Sequence, residues 1–197
     1  MRHPQHHDEA WDTLASRLLG DYRIFRLWEQ TRRSPRTGLD RPFYVLESED
    51  WANIIPVTAE GQVVFVRQFR HGTQEVTLEI PGGIVDVGDG SPAVAARREM
   101  LEESGYDSPT IISLGSVAPN PALLTNRCHT FLALDAEQAA EPNPGHFEDT
   151  VVELAPLVDV PELIRGGRIS HALVIAAFHL YELHRARAMH FEGRPLP

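Results

Sequence analysis

The chain has 197 residues, 42% of them hydrophobic, and a formal net charge of −10. That size and apolar content support one core-forming domain with appended N-terminal structure, and they exclude a disordered chain. The acidic balance argues against a nucleic-acid partner, whose phosphates need a basic footprint. No run of 18 apolar residues occurs, Met1–Trp11 has no apolar signal core, and Cys128 is the single cysteine. These features predict a cytoplasmic protein without an intramolecular disulfide and without a membrane partner.

In chain order, Trp11–Leu19 is predicted as a short helix. Tyr22–Arg32 and Phe43–Leu46 follow as strands around a turn at Ser34–Gly38. Trp51–Thr58 and Gln62–Phe69 read as strands of a hairpin closed by Ala59-Glu60-Gly61. A β-branched run then ends at Glu79-Ile80-Pro81-Gly82-Gly83, where a proline and two glycines let the backbone turn sharply and approach a ligand. Asp86, Gly88, Asp89 and Gly90 form an acidic loop leading into a helix. That helix has Ser91 as N-cap, Pro92 at its first position and Gly105 as its stop. Val94 and Leu101 are expected to mark its packing side, widened by Ala93, Ala96 and Met100.

Beyond it, strands are predicted near Thr110–Val117, Arg127–Leu134 and Thr150–Leu154, with a loop over Ala136–Gly145. A short helix at Pro161–Arg165 and a final one at Ala172–Arg187 close the chain. This order predicts an α+β fold: a mixed β-sheet sandwiched between helices, with an extra N-terminal β segment. The expected organisation is residues 1–50 as an N-terminal extension, 51–188 as the main domain and 189–197 as a tail.

Glu99, Glu102 and Glu103 carry the chemistry. At spacing i, i+3, i+4 they share one helix face, where like charges repel. One account is a solvated acidic face. The other is a site for a hard divalent cation, which takes oxygen ligands. The preceding glycine loop lacks the phosphate-binding patterns G-x-x-x-x-G-K-[ST] and G-x-G-x-x-G. It is not an EF-hand either, because the twelfth position counted from Asp86 is Arg97. Ten histidines are present, among them His3, His6 and His7 and the later His179, His184 and His190. They show no metal-binding spacing. Cys128, between Arg127 and His129, reads as a strand residue rather than an activated thiol.

Gly83, Arg98, Glu99, Met100, Glu102, Glu103, Gly105 and Tyr106 fill positions of the box G-x5-E-x7-R-E-U-x-E-E-x-G-U, where U is bulky and apolar. In this the chain resembles the Nudix hydrolases. Asp89 replaces the first box glutamate, and eight residues rather than seven separate it from Arg98, which leaves the role of Asp89 open. Val66–Arg70 with Glu79–Gly83 is similar to the V-x-Q-[YF]-R … E-[LI]-P-[AG]-G pattern of the ADP-ribose pyrophosphatase branch. Pro121, fifteen residues past Tyr106, Glu148–Val151 and Gly167-Arg168-Ile169 also resemble elements of that branch.

The resemblance implies a Nudix fold and a Mg²⁺-dependent hydrolase, with Mn²⁺ as an alternative. Its metal would be held by Glu99, Glu102, Glu103 and the Gly82 carbonyl, with Arg98 orienting the glutamates. Arg70 would grip the diphosphate and Glu79 would add to the metal or substrate site. Trp28 and Trp51 are candidates for stacking a base, with core packing as the competing role for each. Because the box glutamates are committed to metal, the water-activating base is expected outside the box, at Glu148 or else Glu153. The implied substrate is a nucleoside-diphosphate sugar, ADP-ribose foremost, giving AMP and ribose 5-phosphate. GDP-mannose, another such sugar, a dinucleoside polyphosphate, or a non-catalytic ADP-ribose-binding module are the alternatives. The branch also implies a homodimer built through the segment before Trp51.

Overall fold

The computed structural model describes residues 10–145 and 149–191. The chain divides into two compact units. One comprises the stretch up to Glu49 together with Ala118–Asn126, and the other comprises Asp50–Val117 and the chain from Arg127 onward. The return of 118–126 to the first unit has no local signal in the sequence.

The first unit is an antiparallel sheet of β1 (Asp12–Asp21), β2 (Arg26–Arg33) and β3 (Asp40–Glu47), in that order. The helix expected at Trp11–Leu19 is therefore a strand. Its Leu, Ala and Arg content favours helix in isolation, but β1 pairs with β2 from Asp12↔Arg33 to Asp21↔Arg26, and tertiary pairing overrides local propensity. Register shifts between Thr13 and Ala15 and between Leu18 and Gly20 bend the strand and blur its alternation. Tyr22–Phe25, expected in a strand, makes the reversal instead, with Arg23 at φ 67° and the Tyr22 N–H on the Phe25 carbonyl at 3.0 Å. The 118–126 stretch joins this unit through Leu46, whose N–H donates to the Leu123 carbonyl and whose carbonyl accepts from Thr125.

The second unit is built on a seven-stranded sheet. Its main path runs β12 (Thr150–Pro156), β5 (Gln62–Arg70), β4 (Trp51–Val57), β10 (Cys128–Leu134), β9 (Thr110–Val117). Strand β6 (Glu75–Glu79) lies beside β5, and β7 (Gly82–Ile84) beside β4. The β4–β10 pair is parallel and the other pairs are antiparallel, so the sheet is mixed, as the element order predicts. Within Ala136–Gly145, read as loop, Glu137–Gln138 (β11) pairs with Tyr106–Asp107 (β8).

Helices cover both faces. Successive strand residues point to opposite sides. Ile55, Val57, Phe65 and Leu132 pack under α3 (Ala172–Phe191) against Val174, Ala177, Phe178 and Tyr181, with Val160 of α2 (Val160–Arg165) in the same core. The alternate residues Ala52, Ile54, Phe131 and Ala133 pack on the other face against Ala95, Ala96 and Met100 of α1 (Pro92–Ser104). Helix α3 continues to Phe191, past the tail start expected at 189.

Helix α1 begins and ends as its sequence dictates. Ser91 Oγ accepts from the Val94 N–H at 3.3 Å, Pro92 opens the first turn, and Gly105 closes it at φ 74°. Its buried side differs from expectation. Val94 and Leu101 stay on the solvent side, 52% and 38% exposed, while Ala95, Ala96, Met100, Glu103 and Ser104 are buried. Small residues let the helix lie close to the sheet, and the close approach turns Glu103 inward.

Candidate active site

The site forms where β4 and β5 part. They pair at Val57↔Val63 beside their hairpin; farther along, β4 is taken up by β7 and β5 by β6. The Glu79–Gly83 stretch crosses from one to the other. A Cβ on Gly82 would lie 2.5 Å from the Ala52 carbonyl oxygen, and one on Gly83 would run into the Glu99 carboxylate. Backbone leaves no room for a side chain at 82, and at 83 the Glu99 carboxylate would have to swing aside, so the two glycines let the loop lie directly against the carboxylate helix. The Gly82 N–H donates to Glu103 Oε2 at 3.0 Å, and Glu103 is 3% exposed.

Arg98 organises the remaining acids. Its Nε and Nη2 donate to the two oxygens of Asp89 at 2.9 and 3.0 Å, and Nη2 also reaches the Ile84 carbonyl at 3.2 Å. Its Nη1 donates to Glu99 Oε1 at 2.9 Å and Glu102 Oε2 at 3.0 Å. The hydrogen bonds it gives to Asp89 raise the Arg98 pKa first, ahead of the charge of Glu99, and Arg98 in turn holds Asp89 below the usual carboxylate range. Asp89 ends a single 3-10 turn at Val87–Asp89 and accepts the Asp86 N–H at 2.8 Å. This turn absorbs the extra residue of the loop and still delivers a carboxylate to Arg98.

A cavity of about 700 Å³ runs through the split. It is lined by Glu99, Glu102, Glu103, Arg98 and Gly82, and also by Arg70, Glu79 and Trp51. Arg70 and Glu79 form a two-pronged ion pair at 2.7 Å on each prong, with Thr77 Oγ1 donating to Glu79 Oε1 at 2.5 Å. Burial works against the Glu79 charge, but these donors outweigh it and hold its pKa below the ordinary value.

Trp28 and Pro121 belong to the first unit and are not among the cavity-lining residues, and the Trp28 Nε1–H is held by Glu47 at 2.6 Å. Glu153 is engaged by Arg168 at 2.7 Å and Arg67 at 3.6 Å. Glu148 lies outside the described residues. Cys128 does line the cavity, but burial, with Asp50 nearby, pushes its thiol up to about 12, so it is not an activated nucleophile. Arg127 and His129 are drawn to Ser116 and Asp50.

Two cavity residues carry no sequence signal. His171 stands just before α3, and Asn53, 7% exposed, has an Oδ1 that is buried without a hydrogen-bond partner among the described residues. Asn53 looks like any strand residue in the sequence, and His171 like one more of ten histidines.

The oxygen-only donor set on one helix face suits a hard divalent cation. In this arrangement the carboxylates are drawn onto Arg98 and Gly82. Among the described residues no three acidic, imidazole or thiol groups stand together as a ready ion cage.

Residues 50–178 match the model of the NUDIX domain. The chain belongs to the Nudix family. An ADP-ribose pyrophosphatase of Mycobacterium tuberculosis is 26% identical over 190 residues, covering 96% of this chain and 90% of that one. A GDP-mannose pyrophosphatase of Pectobacterium atrosepticum is 30% identical over 125 residues, covering 59% of this chain and 64% of its own. A solved structure described as an ADP compounds hydrolase superposes with a TM-score of 0.78 at 20% identity, covering 94% of this chain and 97% of that one. The α+β architecture is thus the Nudix fold, and the protein is a Nudix pyrophosphohydrolase. Arg98, Glu99, Glu102 and Glu103 stand at box positions, and Asp89, at the place of the first box glutamate, accepts two hydrogen bonds from Arg98. No helix among the described residues is long and apolar enough to cross a membrane.

Proposed function

We propose that this Nudix enzyme hydrolyses the pyrophosphate bond of a nucleoside-diphosphate sugar, with ADP-ribose converted to AMP and ribose 5-phosphate as the leading reaction. The observation that carries this reading is one cavity lined by both the box carboxylates and the Arg70–Glu79 pair. It supports a cation-holding face and an anion-gripping fork acting in the same space.

Glu99, Glu102, Glu103 and the Gly82 carbonyl would hold Mg²⁺, or Mn²⁺. The ion, when bound, neutralises phosphate charge and lowers the pKa of a coordinated water. Arg98 holds Glu99 and Glu102 in place through Nη1 while Asp89 fixes its other edge. Arg70, oriented by Glu79, presents a planar cation to the diphosphate. Trp51 at the cavity wall offers a ring for a base or sugar to lie against.

Glu148 is assigned as the base that takes the proton from the attacking water. Described residues on either side of it in the chain support this: Gly145 lines the cavity, and the Thr150 hydroxyl donates to the Glu103 carbonyl at 3.1 Å. Glu153, with two arginine partners, is the weaker candidate. A cytoplasmic homodimer using the segment before Trp51 completes the reading. GDP-mannose is the second substrate to weigh, because a relative named for it matches more than half of this chain.

A panel of nucleoside-diphosphate sugars with Mg²⁺, resolved by product chromatography, tests the assignment. Cleavage of ADP-ribose above the others is expected. Preference for GDP-mannose moves the substrate, and cleavage of nucleoside triphosphates alone overturns the class.

A further inference from the structure

Inside the cavity His171 Nε2 stands 3.9 Å from Glu79 Oε2. That is too long for a direct hydrogen bond. The state of the imidazole follows from its other nitrogen, since the Leu173 N–H donates to His171 Nδ1 at 3.3 Å. A nitrogen that accepts carries no proton, so in the neutral ring the proton sits on Nε2. The backbone at His171 is fixed by the start of α3, whose Val174 and Ile175 N–H groups both donate to its carbonyl. A fixed donor therefore faces a fixed acceptor across a gap.

Glu79 is equally constrained. Arg70 and Thr77 hold both its oxygens, it is 3% exposed, and its pocket is shared with Leu173 and Val174. One oxygen atom about 2.8 Å from each group would close the gap with an angle near 90° at that oxygen, which a hydroxyl accepts. A hydroxyl can receive the His171 Nε2–H and give its own proton to Glu79. A phosphate oxygen cannot, because it has no proton to donate and would meet the Glu79 charge.

We propose that His171 and Glu79 form a clamp for a sugar hydroxyl of the substrate, so that His171 reads a sugar lying beside the diphosphate that Arg70 and the box helix handle. The inference rests on the nucleotide-sugar reading above and adds a specificity residue to it. Either the terminal sugar or the nucleoside ribose can bring the hydroxyl, and the test separates them.

Binding to the full-length protein is measured by calorimetry alongside hydrolysis, for wild type, His171→Asn and His171→Gln. Asn keeps an acceptor for the Leu173 N–H but withdraws the reaching donor. Gln places an amide N–H close to the position of Nε2. The probes are ADP-ribose, the methyl ester of ADP, which lacks the terminal sugar, and 2′,3′-dideoxy-ADP-ribose. His171→Asn is expected to weaken ADP-ribose binding and raise KM about tenfold, with kcat little changed and Gln restoring most of the loss. The loss should vanish on whichever analogue lacks the clamped hydroxyl. A loss of equal size on all three probes would mean a phosphate contact and overturn the clamp, as would no loss on any. Wild type that binds ADP-ribose without cleaving it would overturn the hydrolase reading alone, and the variant ratios would still decide the clamp.

Discussion

Asp89 grips Arg98 with both carboxylate oxygens, at 2.9 Å from Nε and 3.0 Å from Nη2. This pairing explains how a box with an aspartate and an extra residue keeps its geometry. Arg98 is left with Nη1 for Glu99 and Glu102. Asp89→Ala should therefore lower kcat by about tenfold or more, the usual effect of removing a group that orients ligands. Asp89→Asn, which still offers Oδ1, should lose less. Steady-state kinetics of both variants at saturating Mg²⁺ make the check, and unchanged kcat in Asp89→Ala would show that Arg98 needs no anchor.

A methyl group on Gly83 would meet the movable carboxylate end of Glu99. Gly83→Ala is expected to swing the Glu99 carboxylate away from Arg98, costing about 1 kcal/mol of stability for the lost hydrogen bond and about tenfold or more in activity. Thermal melts and initial rates read the two effects separately. A fully active Gly83→Ala would mean that Glu99 does not need its place on Arg98.

Glu103→Gln keeps the shape and an oxygen to accept the Gly82 N–H, but removes one negative charge from a crowded face. Turnover should collapse while the melting temperature holds or rises. Equal activity of the variant and wild type at saturating Mg²⁺ would end the catalytic reading of this helix.

The depressed pKa of Glu79 has a consequence for acid stability. A carboxyl whose folded pKa lies below its unfolded value of about 4.3 contributes stability that is full above that value. The contribution is lost as pH falls through the folded pKa. Wild type should thus exceed Glu79→Gln in stability at neutral pH, and the difference should shrink below about pH 4.3. Urea titrations from pH 7 to 3 measure it. A difference constant across that range would show that the ionised form contributes nothing.

Glu148→Gln should reduce kcat by about 10²-fold or more with little change in KM, as loss of a positioned base does. Glu153→Gln, which breaks contacts to Arg67 and Arg168, should change kcat less than about threefold by comparison. The reverse order would transfer the role of base to Glu153.

The sequence by itself determined the parts whose cause is local. Ser91, Pro92 and Gly105 fix the ends of α1 by capping and backbone geometry, and the i, i+3, i+4 glutamates follow from helical pitch. Glycine at 82 and 83 announces a close backbone approach that the Ala52 carbonyl and Glu99 then explain. What approaches from afar was not legible. Strand pairing with β2 made Trp11–Leu19 a strand against its own propensity. Close packing of the small residues of α1 on the sheet buried Glu103 and left Val94 and Leu101 outside. His171 is 92 residues from Glu79 in the chain, yet it meets the same cavity because α3 begins where β4 and β5 have separated. Only the folded sheet sets that distance, because no residue at either position encodes the other.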